Sequence, residues 1–512
     1  MKVAINVSWM TPGKAGGMEW YVRALIDELG AIDQRNQYLV ITSPLNDHTF
    51  PALPPGWERL VYKGDENNPV SYRLLPSPNY EHQPPHLDQM LRAAGVSLLF
   101  CPLMYGLPIL HDIPTVVTIP DLQHEALPEL FDDYELGSRA LGFPDSLGRA
   151  TAVLGISEHV ASEIVRSYDI SPDRVVATPL GLSPDFETDS ALVATYELSA
   201  RARYRIEGDY LFFPGNAWPH KNHEKLLEAF EKASETRDNL RLVFTGENAV
   251  ASLIPARLRN KVDHLGYVSR EEIIGLMAGA TALIFPSRFE GFGLPLLEAM
   301  AVSTPILCSD IPTLREIGAG VPIYFDPERS DSIASAIEDF FASADEAERQ
   351  RAGMGDRLNL FRYRSTAEQT LAVIEDIAYG RRTPPEPVRR GSRPLSGRSD
   401  LMDGFARWWI KAPELKSLEM EAVAVSNYPD GRSRPVSVVA VSVDGVVIGE
   451  IRLEAGGSSR RLEAVIPDWL ASRELRELEI HDVSEGSVDS ESEIRIVRLV
   501  AEDGGLGRVR LI

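Results

Sequence analysis

The sequence predicts an α/β fold, with two successive parallel-sheet units facing a cleft and a smaller all-β region after them. Three observations predict it. Short apolar strand patterns alternate with amphipathic helix patterns from residue 1 to about residue 380, and such alternation builds parallel sheets covered on both faces. The pattern restarts near residue 209, which divides it into two Rossmann-like blocks. After residue 404 the helical signals give way to alternating Val/Ile runs. A chain of 512 residues is also too long for one core. The expected division is a first domain at 1–190, a second at 191–380, a linker at 381–403 and a β-sandwich at 404–512.

In the first block, MKVAINVSW reads as a strand and GKAGG as a loop. MEWYVRALIDELG follows as a helix, with Trp20, Tyr21, Ala24, Leu25 and Leu29 on one apolar face. YLVITS, VSLLFCP, TVVTIP and TAVLGIS are further strands. SEHVASEIVRSYDI is a helix with Ser157 at its N-cap. The second block gives DYLFFPG as a strand, HEKLLEAFEKASE as a helix and LRLVFTG as a strand. SREEIIGLMAGA is a helix in which Ser269 and Glu272 form a capping box. ALIFPS and TPILCS are strands, and SIASAIEDFFASA closes the set, with a last helix able to cross back to the first domain. Ligands of such folds bind beyond the C-terminal strand ends, so the cleft is the expected site.

The stretch 380–398, GRRTPPEPVRRGSRPLSGR, has six arginines against one glutamate and reads as a linker. Its arginines suit a solvated hinge first, and a contact with anionic lipid or a glycan phosphate as the alternative. Beyond it, Asp444-Gly445 between apolar runs marks a hairpin. The formal net charge of −23, from 52 Lys plus Arg against 75 Asp plus Glu, argues against a nucleic-acid partner. Cys101 and Cys308 cannot build a disulfide framework and suit buried thiols. MKVAINVSWM lacks the pattern of a secretory leader, and no apolar run is long enough to span a membrane. A cytoplasmic protein, able to visit the inner face of a membrane, is expected.

The chemistry concentrates in residues 287–301, SRFEGFGLPLLEAMA. A strand runs into a glycine loop and then a helix with Pro295 in its first turn. Such a helix start offers free N–H groups and a positive dipole end to an anion. Gly291 and Gly293 let backbone approach closely. Acceptor-only carboxylates, Glu290 and Glu298, suit hydroxyl groups rather than phosphates. Lys221, in WPHKNHE between a strand and a helix, is the candidate cation to face an anion at that helix start. Asp121 and His124, in TIPDLQHE, stand at a strand end of the first domain.

Segment by segment, about three quarters of the chain resembles the retaining GT-B glycosyltransferases of family 4. Glu290 and Glu298 fall in the acidic places of that family's E-x7-E signature. TPGKAGGMEWYV is similar to its N-terminal glycine loop, and FFPGNAWPHKNHEKLLEAF to its donor-phosphate segment. TAVLGISEHVASEI and RVVATPLGLSPDF resemble its serine-bearing strand and helix and the strand before its interdomain linker. The resemblance implies a nucleotide-sugar donor and a polysaccharide or lipid-linked glycan acceptor, without metal or cofactor. Glu290 would hold sugar hydroxyls and Glu298 the ribose, while the N–H groups of Phe292, Gly293 and Leu294 face the diphosphate. Gly16 and Gly17 would meet the phosphates from the other domain, and Asn216 and His220 belong to the donor segment. The lysine segment resembles mannosyltransferases, which makes GDP-mannose the first donor to consider. Two positions depart from the family pattern: Pro120 replaces a frequent histidine, and Gly215 a frequent arginine. An epimerase on the same fold and a non-catalytic glycan or nucleotide-sugar binder therefore stay open.

Overall fold

The computed structural model describes residues 1–13, 16–63, 86–108, 110, 112–131, 139, 142–144, 146–168 and 170–383. Between residues 400 and 511 it describes the backbone of β-strands only. The described residues of the first lobe form seven strands: β1 (Lys2–Asn6), β2 (Gln37–Thr42), β3 (Glu58–Val61), β4 (Leu98–Cys101), β5 (Thr115–Ile119), β6 (Ala152–Gly155) and β7 (Val175–Ala177). They lie in the order 3-2-1-4-5-6-7, every pairing parallel. The second lobe has β8 (Tyr210–Pro214), β9 (Arg241–Thr245), β10 (Val262–His264), β11 (Ala282–Phe285), β12 (Ile306–Ser309) and β13 (Ile323–Phe325). Their order is 10-9-8-11-12-13, again all parallel. Every residue of β4, β6, β11 and β12 is buried, as strands covered on both faces must be. Cys101 and Cys308 are buried free thiols within β4 and β12.

Strand order reverses between β1 and β4 in one sheet and between β8 and β11 in the other. A crevice opens at such a switch point, and ligands of open α/β sheets bind there. The loops that leave β8 and β11 carry Lys221 and Glu290.

Local signals set the helix starts. Ser157 Oγ accepts the Val160 N–H at 3.1 Å, capping the Glu158–Tyr168 helix. Ser269 and Glu272 form the full capping box of the Arg270–Ala278 helix. The Ser330–Ala342 helix does not close the second lobe: Glu346–Leu358 and Tyr363–Ala378 follow it. Glu346–Leu358, EAERQRAGMGDRL, buries only Gln350 and Met354, so its apolar period is faint in the sequence.

The chain passes between the lobes twice, and the two passes touch. The Leu182 N–H donates to Phe361 O at 3.1 Å, and Thr366 Oγ1 to Pro179 O at 2.5 Å. A Cβ on Gly181 would lie 2.1 Å from Tyr363 N, so only glycine permits this crossing. The Tyr363–Ala378 helix then packs on the Gly17–Ile32 helix of the first lobe. Arg364 pairs with Glu28 at 3.3 Å there, and Arg35 pairs with Glu375.

Past residue 400, the described strand pairings are all antiparallel. Ser437–Val443 pairs with Val446–Leu453, Val443 opposite Val446. The turn Asp444-Gly445 between them, and linker residues 384–399, lie outside the described residues. So do the side chains on which a sandwich core would rest.

Candidate functional site

Beyond β11 the chain forms the glycine loop and enters the Leu294–Ala301 helix, with Gly293 at φ 107° and Pro295 in the first turn. Residues opening a helix have N–H groups without an intrahelical acceptor, so this end is suited to an anion. Phe292 is buried and meets Phe361 edge-on at 5.7 Å, which anchors the loop and leaves only its backbone to face a ligand.

Lys221 lies in a short 3-10 turn, Pro219–Lys221, after β8. Its Nζ donates to Glu290 Oε1 at 2.6 Å and sits 5.2 Å from the Phe285 ring centroid. The next residue, Asn222, takes a left-handed conformation at φ 63° and opens the His223–Ser234 helix. Its amide donates to Pro286 O at 3.1 Å and Pro327 O at 2.8 Å. The Arg288 N–H adds a bond to His220 O at 2.8 Å. Of these hydrogen bonds, the ones to Pro286 and from Arg288 bind the lysine turn to the loop leaving β11.

His220 and His223 flank this lysine. Burial, then the Lys221 charge, pushes each imidazole down to about 4. Both are neutral at pH 7, so His220 adds no second cation where Gly215 lacks a side chain. Gln123 from the first lobe donates its amide to His220 Nδ1 at 2.7 Å. Asn216 Oδ1 accepts the Glu247 N–H at 3.3 Å, near the Gly215–Gly246 backbone contact.

Glu298 is buried one turn into its helix. Its Oε1 accepts from Arg270 Nη2 at 3.2 Å, and Arg270 Nε reaches Asp185 Oδ2 at 3.2 Å. Burial raises the Glu298 carboxyl above its ordinary range, and the Arg270 charge opposes that rise.

The lobes meet along the glycine loop. A Cβ on Gly291 would lie 1.9 Å from Pro120 O, and one on Gly17 2.5 Å from Leu294 Cδ1. Ser157 Oγ, besides its capping bond, donates to Gly291 O at 2.9 Å. Glu316 from the second lobe accepts the Glu158 and His159 N–H groups, both at 2.8 Å. A carboxylate there complements the helix dipole.

Lys221, Glu290 and residues 291–294 therefore converge on one loop pair, with Gly17, His220 and Asp121 against it. Gly16, at φ 54°, caps the Gly17–Ile32 helix. Asp121 Oδ1 accepts the Gln123 N–H at 2.9 Å, and Arg139 stands 3.8 Å away. His124 is not brought to the cleft. It is buried against Phe143 at 4.5 Å and bonded to the Tyr168 hydroxyl at 3.0 Å. Burial pushes its imidazole down to about 3. Sequence reasoning passed over Arg270, Asp185, Asn222 and Glu316. A left-handed asparagine before a helix was a usable signal for Asn222; the other three act on distant elements and leave no local pattern. Among the described residues no three His, Cys, Asp or Glu side chains group as metal ligands. No described helix is long and apolar enough to cross a membrane.

Solved structures share the two-lobe architecture. Sucrose-phosphate synthase from Thermosynechococcus elongatus aligns with a TM-score of 0.58 at 18% identity, over 74% of this chain and 100% of that one. Anabaena HepE in complex with UDP and glucose aligns at 0.54 and 15%, over 73% and 100%. The fold is that of the GT-B glycosyltransferases. Residues 199–354, which include Lys221, Glu290 and Glu298, match the family model Glycosyl transferases group 1. Escherichia coli O-antigen chain mannosyltransferase B is 30% identical over 230 residues, 43% of this chain and 60% of that protein. Salmonella typhimurium O-antigen chain mannosyltransferase RfbU is 27% identical over 248 residues, 48% of this chain and 65% of its own length. The chain thus spans somewhat under two thirds of the length of these two relatives.

Proposed function

We propose that this GT-B protein is a retaining glycosyltransferase. It moves a sugar, mannose from GDP-mannose first, from a nucleotide-diphosphate donor to a growing polysaccharide or lipid-linked glycan. The observation that carries the proposal is the Lys221–Glu290 contact at a glycine-bounded helix start on the switch point of the second sheet. The diphosphate would lie against the N–H groups of residues 292–294 with the Lys221 ammonium beside it. A helix N-terminus contributes about 0.3–1 kcal/mol to such an anion. A charged hydrogen bond adds about 1.5–3 kcal/mol, so the lysine contributes more than the helix does. Glu290 would divide its lone pairs between Lys221 and sugar hydroxyls, and Glu298 would accept from the ribose. The bond from the anomeric carbon to the phosphate oxygen breaks on the face where the acceptor oxygen attacks. The departing phosphate oxygen takes the acceptor's proton, and no enzyme carboxylate acts as nucleophile. The mannosyltransferase relatives support the sugar class. The reaction would take place at the cytoplasmic face of a membrane, with the terminal β-strands as an accessory sandwich that holds acceptor glycan.

The neutral His220 and the bare Gly215 favour one rival, a binder without turnover. Incubation with a panel of nucleotide-sugars, with and without mannan or lipid-linked glycan, separates the readings. Nucleoside diphosphate release that needs acceptor is the expected result. New sugar isomers formed without acceptor would identify an epimerase, and tight binding with no release an inert module.

A further inference from the structure

We propose that Arg270 is a positioning residue for nucleotide recognition, holding the Glu298 carboxylate charged and aimed for the donor's ribose. The inference rests on the donor-site reading above and goes further, because it assigns a role to a residue that reading does not use.

Arg270 is the first residue of its helix, where a cation opposes the dipole. Its place is therefore not explained by helix stability. Its guanidinium joins two acids from different parts of the chain: Asp185, on the pass between the lobes, and Glu298, one turn past the glycine loop. The guanidinium carbon also lies 5.3 Å from the Trp20 ring and 5.1 Å from the Phe186 ring. Asp185 and two aromatic rings fix the fork, and the fork fixes one oxygen of Glu298. A carboxylate has about four acceptor positions, so one N–H leaves capacity for ribose hydroxyls.

Among the described residues, Arg270, Asp185 and Tyr363 face Glu298. Arg270 favours its charge, Asp185 opposes it, and the Tyr363 hydroxyl stays protonated because burial raises it. Burial already drives Glu298 toward its neutral form. The neutral acid loses acceptor capacity, and the sign follows: nucleotide affinity is present above the Glu298 pKa and lost as pH falls through it. Removing Arg270 moves that loss to higher pH.

The test is calorimetric titration of the full chain with GDP and with UDP, across acid to neutral pH. Wild type, Arg270→Gln, Arg270→Lys and Glu298→Gln are compared. The nucleotide's own phosphate titration is common to all four and drops out of the comparison. Arg270→Gln is expected to raise the midpoint of affinity loss by about one to two pH units, the equivalent of one charged hydrogen bond. Arg270→Lys, which keeps the charge, should recover most of that shift, and Glu298→Gln should bind weakly with no such midpoint. If the Arg270→Gln profile lies on that of wild type, the positioning role is overturned while the donor site stands. If wild type binds neither nucleotide, the donor reading fails and takes this inference with it. A role confined to fastening the lobes would lower affinity at every pH and leave the midpoint unmoved.

Discussion

Lys221→Ala is expected to lower turnover by about 10²–10³-fold, the loss that follows removal of one preorganised charge donor from a developing anion. The helix start remains in this variant, so the residual rate measures what the dipole and N–H groups supply alone. The same substitution strands Glu290, whose side chain is only 13% exposed. An unpaired buried acceptor costs about 1–3 kcal/mol, so the variant should also melt earlier. Adding Glu290→Gln separates the two effects. The double variant should regain thermal stability, because a neutral amide tolerates the loss of its cation, yet it should regain no turnover. Kinetics with donor and acceptor, set beside a melting curve without ligand, make the comparison. A fall of less than twofold in kcat for Lys221→Ala would remove the lysine from the chemistry.

Gly291→Ala should be nearly as damaging for a different reason. The added Cβ would meet Pro120 O at 1.9 Å and Asp121 Cβ at 3.1 Å. The first of these is backbone and cannot swing aside, so the lobes must part at this edge. The bond from Ser157 to Gly291 O goes with it. A displacement of about 1 Å at a reacting centre can cost about 10²-fold, and a loss of that size in kcat is expected, together with a lower melting temperature from the clash and the lost Ser157 bond. Gly320→Ala, where an added Cβ meets nothing within 4 Å, is the control and should behave as wild type. Turnover of Gly291→Ala within twofold of wild type would show that the close approach of 120 to 291 is dispensable.

The sequence revealed those parts of the fold whose cause is local. LLFC, AVLG, ALIF and ILCS are short, carry no charged residue and are mostly apolar, so their burial could be read directly. Ser157 and Ser269 announced helix starts because a cap acts within three residues. The glycine loop was legible for the same reason. β3, ERLV, is an edge strand with no fully buried residue and was passed over. His124 shows the limit more sharply. Its place three residues after Asp121 suggested a cleft position, but the chain turns there and Phe143 and Tyr168 enclose the ring. Neither neighbour is close in sequence. Glu316 is the converse: unremarkable in its own helix, it acts on residues 158 and 159 only because the second lobe is folded against the first, while Arg270 acts on Glu298 and Asp185, both far from it in sequence.

Gly181 is where the two interlobe passes lie in direct contact, one chain segment laid across the other. Two ropes knotted at a single spot make a swivel. On the donor-site reading proposed above, admission of a nucleotide is expected to be a tilt about this crossing, small at residue 181 and widest at the rim near residues 120 and 291. Spin labels across that rim should change separation when GDP is added, and labels astride the crossing should not; equal changes at both would refute the swivel.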